Sequence, residues 1–267
     1  MDLGLSGARA VVTGGSKGMG LAIAATFAEE RASVAVLARG KEALDAAVAQ
    51  LRDRGAAEAI GISTDMSSTE SVEAAFAEIA ERWGEVNALV HTTGPGDGHF
   101  ADLSDDDWET AFSLGTMAGV RTIRAALPLL RSASWARIVT LAAHSIQRQN
   151  PRIVAYTASK AALASVTKNL SKSLAPEGIL VNCVCPGTIV TASFTEVLAD
   201  VLAVDGLDAS DPKDVMAWIE RNFHQPADLG RAGLPEEVAS ITTYLASKRN
   251  GYVTGATVNV DGGSDFI

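Results

Sequence analysis

The chain has 267 residues, 47% of them hydrophobic, a formal charge of -10 and two cysteines. That length suits one α/β domain with a single substantial core. Acidity without a long basic stripe excludes a generic nucleic-acid binder, and no apolar run is long enough to span a membrane.

The elements alternate along the chain. A short apolar strand at Ala8 to Thr13 is followed by a glycine turn and a helix at Leu21 to Glu30. Strands at Ser33 to Leu37, Ala59 to Ile62 and Ala88 to His91 alternate with helices at Lys41 to Arg54 and Thr69 to Trp83. A helix at Trp108 to Leu130, a strand at Ala136 to Leu141, a helix at Tyr156 to Leu174 and a strand at Leu180 to Cys185 continue the pattern. A helix at Pro235 to Ala246 and a strand at Thr257 to Val260 close it. Continuous apolar strands between amphipathic helices fit a Rossmann-type, doubly wound α/β fold, with a seven-stranded parallel sheet covered on both faces. Residues 1–267 form one domain in this reading.

The interval from Ala192 to Leu229 spans about forty residues, beyond the usual connection length. It includes Phe194, Leu198, Trp218, Ile219 and Phe223, so helices with an apolar face are expected. It leaves from the carboxyl end of a strand, where such sheets bind ligands, and is read as a substrate lid; a structural cap or an oligomer contact is the alternative.

Ser16, Lys17 and Met19 interleave with Gly14, Gly15, Gly18 and Gly20 between the first strand and helix. Gly14 permits a tight turn, Gly18 lets backbone amides approach a pyrophosphate, and Gly20 allows close helix–sheet contact. A NAD site usually has a carboxylate at the end of the second strand, but this chain reads Ala38-Arg39-Gly40. Arg39, with Lys17 and Ser16 across the gap, suits a 2′-phosphate, so NADP(H) is favoured over NAD(H). Asp65 is placed to accept from an adenine amino group, or else to cap the next helix; Met66 is an apolar wall of that pocket or a core residue.

Tyr156 and Lys160, four apart, share a helix face. The ammonium favours the phenolate and lowers the phenol's pKa, so the hydroxyl can exchange a proton while a nicotinamide exchanges a hydride. His91, His99, His144 and His224 show no close ligand spacing, and no metal is expected. Met1 to Ser6 includes Asp2 and leads straight into a strand-like run, unlike a secretory signal. Cys183 and Cys185, two apart on one expected strand, read as unbridged thiols of a reducing cytoplasm.

Thr13 to Gly20, Tyr156-Thr157-Ala158-Ser159-Lys160, Pro186 to Thr191 and Val260-Asp261-Gly262-Gly263 together resemble the short-chain dehydrogenase/reductase family over essentially the whole chain. The resemblance implies that Tyr156 is the catalytic acid/base and that Lys160 tunes it and binds the nicotinamide ribose. It also implies that Asp65 meets the adenine, and that Thr93 and Gly94 lie in the segment closing over the adenosine ribose. Pro186 and Gly187 would shape the loop under the nicotinamide, Ile189 would offer its backbone to the carboxamide, and Thr191 its hydroxyl to carboxamide or phosphate. Where the family usually has two asparagines, alanine and glycine, this chain has His91-Thr92-Thr93-Gly94, and His91 is expected to replace an amide's structural hydrogen bonds.

Two departures bear on the chemistry. The family's substrate-binding serine, thirteen residues before the tyrosine, is Ala143, and its helix asparagine aligns with Gly115. Neither side chain can donate a hydrogen bond. His144 or Ser145 is expected to fill the vacancy; otherwise Tyr156 alone polarises the substrate. The sequence thus points to an NADP(H)-dependent oxidoreductase interconverting a ketone and a secondary alcohol on a small or medium, mainly apolar substrate, with a polar group met by Arg148. An NAD-dependent alcohol dehydrogenase and a catalytically weakened dinucleotide-binding scaffold are the alternatives. By analogy with the family, a homotetramer or homodimer is expected.

Overall fold

The computed structural model describes residues 2–94 and 98–264; residues 1 and 265–267, the ends of the expected domain, lie outside this range. Seven strands, β1 (Arg9–Thr13), β2 (Ser33–Ala38), β3 (Glu58–Ser63), β4 (Ala88–His91), β5 (Ala136–Leu141), β6 (Ile179–Pro186) and β7 (Thr257–Val260), form one sheet in the order β3-β2-β1-β4-β5-β6-β7. Every pairing is parallel. The fold expected from the alternating pattern is therefore the one observed.

Strand alternation divides the core between the two faces. Val12, Val34, Val36, Val90 and Val139 pack with Ile23 and Phe27 of α1 (Gly18–Glu29), Leu44 and Leu51 of α2 (Lys41–Asp53) and a helix described below. Val11, Leu37, Leu89, Ile138 and Val181 point the other way, against Val72, Phe76 and Ile79 of α3 (Thr69–Trp83) and the long helices beyond β4 and β5. Period-two side-chain direction makes these strands apolar on both sides.

Two expected helices differ in outline. The helix read from Trp108 to Leu130 consists of α4 (Asp105–Phe112), a π-helical segment at Ser113–Met117 and α5 (Ala118–Ser132). α4 begins earlier because Ser104 and Asp107 cap each other reciprocally. At the start of α5, a Cβ on Gly119 would stand 2.8 Å from Leu163 Cδ1 of α6 (Val154–Leu174), so this backbone lies close to its neighbour. The first helix starts at Gly18, not Leu21, because the glycine loop itself supplies its first turn.

Between β6 and the end of the chain lie α7 (Ala192–Ala203), α8 (Pro212–Phe223) and α9 (Pro235–Leu245), the last of which completes the Val12 face of the core. α7 and α8 have a small core of their own: Leu202, Ala209, Val215, Met216, Ala227 and Ala232. Phe194, Leu198, Trp218 and Ile219 pack against it.

Candidate active site

β1 and β4 are neighbours whose onward connections run to opposite sides of the sheet, which opens a crevice beyond their carboxyl ends. The glycine loop turns there. Gly14 has φ 67° and donates its N–H to Leu37 O at 2.8 Å, and a Cβ at Gly14 would meet Thr92 Oγ1 at 2.5 Å. A Cβ at Gly20 would lie 2.2 Å from Gly14 O, so only glycine lets α1 start this close to the strand end. The unpaired amides of α1's first turn make an anion cradle. The residues present fit a dinucleotide pyrophosphate.

Next to the loop is a cavity of about 450 Å³ lined by Gly14, Arg39, Asp65, Met66, Thr93 and Gly94, which brings together the expected adenosine residues. Thr64, Ser67, Thr110, Ser113 and Leu114 also line it. All five escaped sequence reading, although the i, i+3, i+4 spacing of the last three places them on one helix face. Arg39 is exposed at the rim, and Lys17 is exposed at the N-cap of α1, outside this lining. Ser68, not Asp65, caps α3. Asp65 Oδ1 accepts from Ser67 N at 2.9 Å and Ser67 Oγ at 2.7 Å, and these bonds, with Arg39 and Arg121 nearby, hold its carboxyl below the usual range. Met66 is buried in the core on the Val11 face and also lines the cavity.

The segment after β6 lies on the other side of the crevice. Gly187 donates to Val260 O at 3.0 Å, and a Cβ there would strike Asp261 Cα at 2.7 Å. Ile189 bridges in parallel to Gly233; because Thr188 and Val190 make the two hydrogen bonds, Ile189's own N–H and C=O aim to the opposite side. Thr191 caps α7 by accepting from Phe194 N, while its methyl would lie 3.4 Å from a Cβ on Gly18. Its hydroxyl proton can still be donated. The glycine loop and the Pro186 to Thr191 segment thus meet at Gly18.

Lys160 lies at the centre. It is 2% exposed, and its Nζ donates to Thr93 O at 2.7 Å and Leu141 O at 2.8 Å, beside the Tyr156 ring at 5.9 Å from its centroid. Burial lowers its pKa to about 8, with Cys183 and Cys185 acting in the opposite direction. Tyr156 is half-buried one turn earlier on the same helix. A Cβ on Gly94 would fall 3.4 Å from Lys160 Nζ and 3.5 Å from Tyr156 Cε2, so the loop after β4 closes directly on the pair.

Ala143 is buried at the start of a 3₁₀ turn. Ser145 does not fill the gap: it is 1% exposed and its Oγ accepts from Thr157 Oγ1 at 3.0 Å, which turns it into α6. His144 is half-buried with Nδ1 3.2 Å from Pro186 O. Arg148 differs from expectation as well. Its guanidinium donates to Ser264 O at 2.6 Å, His224 O at 3.3 Å and Pro226 O at 3.4 Å, tying the chain after α8 to the loop before α6. Three carbonyls compete with any substrate group for those donors. Gly115 lies in the π-helical segment, where Thr116, missed in the sequence, donates to Ser159 O at 2.7 Å. Cys183 and Cys185 are buried free thiols, and among the described residues no group of His, Cys, Asp or Glu is arranged to hold a metal. No helix among those residues is long and apolar enough to cross a membrane.

This fold, with its glycine cradle, is that of a dinucleotide-dependent oxidoreductase. A family model described as enoyl-(acyl carrier protein) reductase matches residues 14–265. Dehydrogenase/reductase SDR family member 4 of Caenorhabditis elegans is 31% identical over 256 residues, covering 95% of this chain and 94% of that one. The 3-oxoacyl-[acyl-carrier-protein] reductase FabG of Aquifex aeolicus is 30% identical over 264 residues, covering 98% and 99%. The structure of L-sorbose reductase from Gluconobacter frateurii, complexed with NADPH and L-sorbose, superposes with a TM-score of 0.92 at 30% identity, covering 99% and 98%.

The chain belongs to the short-chain dehydrogenase/reductase family. It is an NADP(H)-dependent oxidoreductase acting on a carbonyl/alcohol pair.

Proposed function

We propose that this enzyme interconverts a ketone and a secondary alcohol, with Tyr156 as the proton donor and acceptor and Lys160 as the cation that keeps the phenol acidic. Bound NADP(H) supplies or accepts the hydride. Gly14, Ser16, Lys17, Gly18, Met19 and Gly20 hold its pyrophosphate, Arg39 its 2′-phosphate, and Asp65, Met66, Thr93 and Gly94 its adenosine. Pro186, Gly187, Ile189 and Thr191 hold the nicotinamide end. The observation behind this reading is Lys160: a fully buried ammonium with no carboxylate partner among the described residues, held by two carbonyls beside a phenol. Such a cation is costly unless it has work in the site.

His144 is the residue we assign to the vacancy at Ala143. Pro186 O can only accept, so Nδ1 bears the proton and Nε2 of the neutral ring holds a lone pair. With the proton on Nδ1, Nε2 can serve a substrate group as an acceptor, and as a donor only in the imidazolium form. The substrate is a small or medium, mainly apolar ketone or alcohol, with residues 192–229 as its lid within a single domain spanning residues 1–267. The substrates named for the relatives, L-sorbose and 3-oxoacyl-[acyl-carrier-protein], both carry a ketone. Half-buried or exposed Ala158, Ala161, Ala162 and Ala164 on α6 support a homotetramer or homodimer, and the free buried thiols support a cytoplasmic location.

The experiment is NADPH consumption across a ketone panel with wild-type and Tyr156→Phe protein. The variant should lose on the order of a thousandfold in kcat while binding NADPH normally. Most of the activity surviving would show that another group handles the proton.

A further inference from the structure

His91 stands at the end of β4, where its imidazole is completely buried. Both ring nitrogens are engaged: Nδ1 lies 2.9 Å from Thr13 Oγ1 and Nε2 lies 2.9 Å from Thr93 Oγ1. Thr13 is the last residue of β1 before the glycine loop, and its hydroxyl also accepts from Thr92 N at 3.3 Å. Thr93 is the residue whose carbonyl accepts from Lys160 Nζ at 2.7 Å. The ring fits here because Gly119 has no side chain; a Cβ there would lie 3.4 Å from His91 Nε2 and 3.3 Å from Cδ2.

We propose that His91 is a positioning residue for Lys160, locking the Thr93 main chain that holds the ammonium and linking that lock to the strand carrying the dinucleotide loop. One imidazole spans both partners with two directional bonds, and an aliphatic residue of similar size would fill the space while taking the imidazole from the Thr93 hydroxyl and leaving the Thr13 hydroxyl only the Thr92 N–H. The chain of contacts runs from Thr13 through His91 and Thr93 to Lys160, whose second carbonyl, Leu141 O, anchors it to β5. The imidazole itself takes no proton in the reaction. Burial and the neighbouring ammonium lower its pKa to about 3, so it stays neutral wherever the enzyme works.

The inference rests on the roles given above to Tyr156 and Lys160. Among the described residues, titratable groups facing the ammonium are Tyr156 on its own helix, Cys183 and Cys185 on β6, and His91 on β4. Were the Thr93 carbonyl free to swing, the ammonium would leave its place beside the phenol, and the phenol would revert toward its ordinary pKa of about 10. A purely structural residue would lower activity without that displacement.

The test is the pH profile of alcohol oxidation by His91→Leu, His91→Asn and Thr93→Val, alongside thermal unfolding and NADPH titration. His91→Leu should fold, lose on the order of tenfold to a hundredfold in kcat, and show its acid limb displaced upward by about one pH unit. His91→Asn should recover most of both, since an amide can donate and accept. Thr93→Val, which keeps the carbonyl and deletes the hydroxyl, should shift the limb in the same direction and decides the matter should His91→Leu not fold. A wild-type profile in Thr93→Val or in folded His91→Leu overturns the proposal, as does a loss of rate without displacement of the limb. Tyr156→Phe separates the two readings. Loss of turnover there with a wild-type profile in His91→Leu overturns the positioning role alone; retained turnover overturns the acid/base assignment, and the positioning role with it.

Discussion

Thr157 donates its hydroxyl to Ser145 across 3.0 Å, and both side chains are buried. This bond ties the turn after β5 to the first turn of the helix that carries Tyr156 and Lys160. It makes Ser145 part of the scaffold of the site. Ser145→Ala should cost about 2 kcal/mol by leaving the Thr157 donor unpaired, while kcat stays within a fewfold of wild type. Urea unfolding and steady-state kinetics check this, and a large loss of kcat at unchanged stability would return Ser145 to the chemistry.

Ala143 offers no hydroxyl at the position where the family resemblance implies a substrate-binding serine. Ala143→Ser should raise kcat/KM for a ketone at least about tenfold, since one well-placed donor to a developing oxyanion is typically worth a hundredfold or more. No gain, combined with a large loss in His144→Ala, would show that His144 already occupies that space.

Arg39 is exposed at the rim of the adenosine cavity, and its charge is screened by salt. Arg39→Ala should weaken NADPH binding about tenfold at low ionic strength and leave NADH binding unchanged. Equal effects on both cofactors would place the 2′-phosphate elsewhere.

His91 also carries a stability signature. Its pKa falls from an ordinary 6.5 to about 3 on folding, so between those values the unfolded chain binds more protons than the native one. Stability is fully present above pH 6.5 and is lost as pH drops toward 3. At a pH two units below the unfolded value this single group should have removed about 3 kcal/mol. Comparing His91→Asn with wild type across that range by denaturant titration should show the gap closing or reversing in acid; a constant difference would contradict it.

The sheet was legible because the inner strands are apolar on both sides and every connection includes a helix, which leaves few alternatives to a parallel sheet. The glycine loop was legible for a similar reason: a Cβ on Gly20 would lie 2.2 Å from the Gly14 carbonyl, so that constraint is written locally. The shared face of Tyr156 and Lys160 follows from helical spacing, while their expected role came from the resemblance of the whole set of motifs to the short-chain dehydrogenase/reductase family. The helix boundary at Ser113 to Met117 was not legible, because a π-helical widening depends on how the backbone fits α6 and not on propensity.

Sequence by itself determined the architecture, the dinucleotide cradle and the phenol with its cation, since each depends on residues near one another along the chain or on a short-range period. Only tertiary structure decided the uses of Ser145, Arg148 and His91. A hydroxyl, a guanidinium and an imidazole each have several possible partners, and the choice was made by residues 12, 116 and 78 positions away. Hydrogen bonding at such separations is set by which strand ends and loops the packed core brings together, and that information exists only once the sheet has formed.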